Sequence, residues 1–230
     1  MVRIVDLSEE IYHRAPSNPG QPPTILGTWI THEEALARPG RVQGNEVKYL
    51  ILSDHATTHI DAPRHFNPDG PSIDQYPLER CYVMGICLDL RHLPDKAEIT
   101  PDHLEEAVAK AGSPVPAGGT VLLCTGFHAR AHGKPSYFTE NPGVTVEATR
   151  WIAAQGAVHF GIDSYRPGPG HDHINDLVHK VCGQIGITHM EGLCNLEELV
   201  GRGPFRFIGL PLKIRGGTGS PMRAIAVFDE

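Results

Sequence analysis

Glycine and proline punctuate this chain from end to end, 25 and 20 of them among 230 residues, with no stretch that concentrates them. Glycine tolerates backbone conformations closed to other residues, and proline fixes φ and removes a donor. Spread in this way, they predict many turns in a loop-rich fold rather than a disordered tail. Apolar residues make up 40% and charged residues 20%, the globular range. At this length roughly 70% of the unfolded chain's surface can be buried, so a core needs no covalent staples.

Between the turns, apolar and β-branched runs read as strands at 2–7, 47–53, 83–90, 120–125, 157–162, 185–190, 205–212 and 223–228, with 47–53 expected to be buried. Residues 13–29, rich in Pro, Gly and Asn, read as a long loop. Thr100–Ala111 reads as an amphipathic helix with Thr100 as cap, Pro101 in the first turn and Gly112 as stop. Thr145–Gly156 reads as a second. Shorter helical pieces are expected at 32–38, 174–182 and 196–200. Strands outnumber clear helices, and no repeat, linker or composition break divides the chain. The expectation is one α/β domain over residues 1–230.

The net charge of −7, from 20 basic and 27 acidic residues, argues against a general nucleic-acid binder. No apolar run approaches the roughly 20 residues that span a bilayer, and the first residues, MVRIVDLSEEIYHR, lack the apolar core of a signal peptide. The five cysteines (81, 87, 124, 182 and 194) are odd in number and include no CxxC pair, so free thiols in a reducing cytoplasm are expected. No GxSxG elbow is present. Gly216–Gly219 lacks the following Lys and helix of a phosphate loop.

Fourteen histidines are many for this length, and several crowd into Ser53–Phe66, SDHATTHIDAPRHF. His55 and His59 stand four apart, a spacing that puts both rings on one face of a helical turn. Asp61 follows two residues later, where Pro63 stops such a turn. Two neutral imidazoles and a carboxylate are a usual ligand set for Zn²⁺ or Mn²⁺, with open positions left for water. His65, four residues on, is placed to move protons beside such an ion. A second segment, His171–Glu191, holds His171, Asp172, His173, Asp176, His179, His189 and Glu191. His171 reads as part of a solvated loop, and Glu191 as a carboxylate at a strand end. Asp163 reads either as a support for the site or as a turn residue.

HATTHIDAPRHF resembles the HxxTHxDxPxH signature of the cyclase family, which includes bacterial kynurenine formamidases and isatin hydrolases. VDLSEEI near the start, LLCTGF, NPGVTVEATRWIAAQGA and FGID in the middle, HKVCGQIGITHMEGLCNL and LPLKIRGGTGSPMRAIAV are similar to further stretches of that family, in the same order. The resemblance implies a swivelling β/β/α fold assembled as a homodimer or larger. It implies one or two divalent ions, zinc or manganese, per chain. His55, His59 and Asp61 would hold the first; Asp61 would also reach a second, held by His179, with Glu191 touching both. His65 would be the catalytic proton carrier, and the loop with Thr218 would shape the substrate pocket.

The expected reaction is hydrolysis of a C–N bond in a small amide, formamide or lactam by water activated on the metal. Lactone or ester hydrolysis at the same site, or a binding protein that has lost catalysis, are the alternatives. N-formylkynurenine is not the expected substrate. Asn18 falls where the formamidase branch carries a stacking aromatic residue, and Trp29 is the nearest substitute.

Overall fold

A computed structural model describes residues 1–229. In chain order the elements are β1 (Val2–Asp6), β2 (Ile25–Ile30), α1 (His32–Leu36), β3 (Val47–Ile51), β4 (His59–Asp61), β5 (Tyr82–Asp89), β6 (Glu98–Ile99), α2 (Pro101–Ala111), β7 (Thr120–Cys124), α3 (Phe127–Ala131), β8 (Gly143–Val144), α4 (Val146–Ala154), β9 (His159–Ile162), α5 (Asp172–Ile185), β10 (Thr188–Glu191), β11 (Phe205–Pro211) and β12 (Gly219–Asp229). Short 3-10 turns join several of them. Among the described residues no helix is long and apolar enough to cross a membrane.

Eight strands form one sheet in the order β1-β12-β11-β5-β7-β9-β10-β4. Strands β5, β7, β9 and β10 run parallel, and the other pairings are antiparallel. The long strand β12 bends this sheet into a closed barrel. Its later residues pair with β1 and β11, while Gly219–Pro221 pair with β4. Period-two alternation then sorts side chains between two cores. From β7, Leu122 and Cys124 join Ile60, Met190, Phe205 and Phe207 inside the barrel. Val121 and Leu123 face the other way and pack with Phe160, Leu104, Ile152 and Val178 beneath α2, α4 and α5. Leu122, Leu123, Leu104 and Val178 are each fully buried, and truncating such a leucine to alanine costs about 2–5 kcal/mol.

Local signals set the helix ends. Gly112 closes α2 at φ 67°, a left-handed conformation that favours glycine. Thr145 caps α4 by accepting from Ala148 N. The segment expected as a loop over 13–29 holds all but the last residue of β2, and the strand expected to be buried over 47–53 forms β3 at Val47–Ile51, exposed along its whole length. The two pair only with each other. The β-branched residues made the strand; its partner is one more hairpin strand rather than the core, which is why the burial expectation failed. Helix α3 was not anticipated, because five residues carry too little periodicity to read. All five cysteines are free and buried.

His159 lies on the barrel-facing side of β9, its ring against Phe207, at 1% exposure. Its Nε2–H donates to Arg80 O (2.7 Å), and its Nδ1 accepts from Thr120 Oγ1 (2.8 Å). Burial disfavours the charged ring and pushes its pKa down to about 4. In the unfolded chain an imidazole titrates near ~6.5. Between these values the unfolded chain holds the extra proton, so stability present above pH ~6.5 is lost as pH falls toward 4. The full effect is about 3 kcal/mol. Asp163, pushed up to about 6 by burial, acts in the opposite sense over part of the range. Comparison of His159→Gln with the parent protein isolates the histidine. Denaturant midpoints from pH 7 to 4 should fall less steeply in the variant; parallel curves would show that His159 titrates normally.

Candidate metal centre

The histidine motif is not helical. Thr57 takes φ 53°, and the turn it makes delivers the chain into β4. Along β4 alternate residues share a face, so His59 and Asp61 project outward while Ile60 points into the barrel. The neighbouring β10 repeats the pattern. Its Met190 faces in, opposite Ile60, and Glu191 stands opposite His59. The spacing of two that joins His59 to Asp61 also joins His189 to Glu191. Helix α5 covers this outer face and contributes His179. His55 comes from the turn before β4, and His65 from the 3-10 turn Pro63–His65 after it.

Asp61, 1% exposed, lies at the middle. Its Oδ1 is 2.8 Å from His55 Nδ1 and 3.5 Å from His59 Nε2. Its Oδ2 is 3.2 Å from His189 Nε2 and 3.8 Å from Nε2 of both His179 and His65. Glu191 closes the group. Its Oε2 is 3.6 Å from His59 Nε2, and its Oε1 is 3.2 Å from His189 Nε2 and 3.8 Å from His179 Nε2. Gly219 makes room for His55: a Cβ there would stand 2.7 Å from the ring's Cε1.

Two of the rings are locked with a lone pair facing inward. His59 Nδ1–H donates to Thr57 O, and His179 Nδ1–H to Asn175 O, both at 2.8 Å. His55 is held from the other nitrogen. Asp54 Oδ2 accepts the Thr218 hydroxyl (2.8 Å), which leaves Thr218 Oγ1 to accept from His55 Nε2–H (2.9 Å). An imidazole whose second N–H is tied to a carbonyl or hydroxyl is the usual arrangement of a metal ligand. Burial works against ionising Asp54, but bonds from the Thr218 side chain, Thr218 N and Gly219 N hold its pKa below the usual carboxylate value.

The electrostatics also call for a cation. Burial disfavours charge on His55, yet Asp61, Asp54 and Glu191 outweigh it and raise its proton affinity. The same balance, against burial, lifts His189 well above its ordinary value and drops Asp61 well below, each stabilising the other. His179 is pushed down by burial and by His189. Asp61 Oδ2 is sealed from solvent with no hydrogen bond of good geometry. A sealed carboxylate oxygen surrounded by imidazole nitrogens fits a divalent ion. The ligand atoms form two overlapping groups that share Asp61: His55, Asp61 and His65 in one, and Asp61, His179, His189 and Glu191 in the other.

Residues 5–168 match the family described as putative cyclase. The chain belongs to that family. Isatin hydrolase A from Labrenzia aggregata, bound to benzyl benzoate, is similar at 26% identity and TM-score 0.85, covering 100% of this chain and 94% of that one. Isatin hydrolase A from Ralstonia solanacearum is similar at 26% identity and TM-score 0.84, covering 99% and 92%. A predicted metal-dependent hydrolase from Bacillus stearothermophilus shares the fold at 23% identity and TM-score 0.74, covering 99% and 98%. Cyclase-family membership, the barrel and these relatives make the chain a hydrolase.

The structure brings His55, His59, Asp61, His65, His179 and Glu191 of this cyclase together, and adds His189. The sequence segment contained His189 without singling it out; its spacing of two from Glu191 on a strand was the available signal. A cavity of about 370 Å³ opens onto the group and is lined also by Asn18, Gln21, Phe66, Tyr165, Arg166 and Lys180. Asn18 is therefore at the pocket. Trp29 is not: it stands on the β2–β3 hairpin, 74% exposed. Thr218 contacts His55 and Asp54 rather than the cavity. Asp163 accepts from Thr125 N and Oγ1 on the far side of its strand end, and His171 and His173 are exposed at the start of α5.

Thr218→Val keeps the shape but removes the acceptor of His55 Nε2–H. Divalent-metal affinity should fall about 10–100-fold, read by competition with a chelator, while circular dichroism stays native. Unchanged affinity would show that the hydroxyl does not hold the ring.

Proposed function

We propose that this protein hydrolyses a C–N bond of a small cyclic or linear amide at the centre around Asp61, with His55, His59, Asp61, His179 and Glu191 holding one or two divalent ions. The observation that carries the reading is the pair of lone pairs of His59 and His179, locked toward two buried carboxylates, with His55 Nδ1 2.8 Å from Asp61 Oδ1. Imidazole and carboxylate donors suit zinc or manganese. A bound ion supplies a water of lowered pKa and positive charge for the oxygen that becomes negative.

His65 is the most exposed ring of the group, at 33% for its side chain, and faces the cavity. Burial lowers its pKa; Asp61 pulls it back, and His55 and His179 push it further down. The result is a neutral ring near pH 7 that can take a proton from the attacking water and deliver it to the leaving nitrogen. Tyr165 is unsuited to that task, because its hydroxyl donates to Glu9 Oε2 (2.8 Å). Phe66 and the Tyr165 ring give the pocket two flat walls for a planar amide. Lys180 supplies positive charge for the carboxylate that hydrolysis releases, while Arg166 is engaged by Asp172. The isatin hydrolases among the relatives support a lactam as the first substrate to try. The exposed hairpin residues Trp29, Val47, Leu50 and Ile51 support a homo-oligomer, and the buried free thiols support a reducing, cytoplasmic location.

Three measurements test this. Hydrolysis of isatin-like lactams, formanilides and lactones should vanish in metal-free protein and return with zinc or manganese; full activity in protein free of metal by elemental analysis contradicts it. His65→Ala should keep its metal and lose at least ~10²-fold in kcat, whereas loss of the ion would make His65 a ligand. N-formylkynurenine should be a poor substrate, since neither Asn18 nor the distant Trp29 stacks on its ring. A kcat/KM near ~10⁵ M⁻¹s⁻¹ or above, the range of physiological pairs, would reverse that expectation.

A further inference from the structure

A second set of donors lies apart from the Asp61 centre and shares no residue with it. His128 and His132 are four apart across one turn at α3, with His132 N donating to His128 O (3.0 Å). Their rings stack with centroids 4.6 Å apart and 23° between planes. Both Nε2 atoms face one oxygen, Glu9 Oε1, at 3.1 and 3.8 Å. Glu9 comes from the segment after β1, and its side chain is only 5% exposed.

We propose that Glu9, His128 and His132 form a separate divalent-cation site of the kind that zinc occupies. The three ligand atoms lie within 4.8 Å of one another. Two imidazoles and a carboxylate are a usual zinc set, and the histidine side chains, 20% and 30% exposed, leave an open side for water. Two observations favour a cation over an ordinary ion pair. His128 Nε2 is sealed from solvent and makes no hydrogen bond of good geometry, although Glu9 Oε1 is only 3.1 Å away. A sealed nitrogen without a partner is costly, and a cation beside it removes the cost. Second, Glu9 is braced as ligand carboxylates are. Tyr165 donates to Oε2 at 2.8 Å, Tyr137 donates to Oε1 at 3.3 Å, and Glu9 N is held by Thr58 Oγ1 at 2.9 Å.

The site ties the segment after β1 to α3. Through Tyr165, whose ring lines the pocket, it also braces a wall of the Asp61 centre. It does not depend on the reaction proposed there.

The test is zinc content per folded chain, by elemental analysis after equilibration with zinc and gel filtration. Two pairs are compared: the parent protein with His132→Ala, and Asp61→Asn with Asp61→Asn/His132→Ala. The second pair cripples the first centre and so reads the second site alone. The expected result is a loss of about one zinc per chain on removing His132 in both pairs. Equal zinc within either pair overturns the proposal, because a loss confined to one background would run through the Asp61 centre. His128→Ala should repeat the loss; His132, the more exposed of the two, is the variant that leaves the fold least disturbed.

Discussion

Asp61 carries a carboxylate to a place where 1% of the residue meets solvent. An unpaired charge there would cost several kcal/mol. Everything around it answers that cost. Five imidazole nitrogens, from His55, His59, His65, His179 and His189, come within 4 Å of its two oxygens. These nitrogens are lone pairs or shared protons, not permanent charges. A divalent cation balances such a group in a way that protons alone do only at the expense of burying imidazolium ions.

The barrel exists in a form that makes this crowding possible. Strand β4 is three residues long, yet it is paired on both edges, with β10 on one side and the start of β12 on the other. Its outward residues are therefore fixed at strand spacing against the outward residues of β10, and α5 lays His179 over them. Inward, Ile60 and Met190 anchor the same two strands in the hydrophobic interior. Polar and apolar demands fall on alternate residues of the same short strands, so site and core are stabilised by one backbone. The glycine at 219 completes the fit, since any side chain there would occupy the space of the His55 ring.

Much of this was legible in the sequence because it is written locally. The motif from His55 to His65 announced its chemistry by residue type and spacing, and the capped helices α2 and α4 announced their ends. The spacing of His55 and His59 fits a helical turn, but Thr57 at φ 53° makes a tight turn between them, and the β-branched Ile60 sits in the strand that follows. His189, a histidine on an apolar run, looks like core until its partner strand is known. The Asp54–Thr218–His55 chain joins residues 163 positions apart, and no local pattern contains that pairing. Strand β3 read as buried because burial depends on which surface a strand meets, and the sequence shows only the strand.

The central claim is that the group around Asp61 holds a divalent ion. Anomalous diffraction from crystals of the protein grown with zinc or manganese, recorded on both sides of the metal's absorption edge, tests it most directly. The account predicts an anomalous peak coordinated by a carboxylate oxygen of Asp61 and by ring nitrogens of His55 and His59, with a second, if present, reached by Glu191. Crystals that hold stoichiometric metal but show no peak at Asp61 would contradict it.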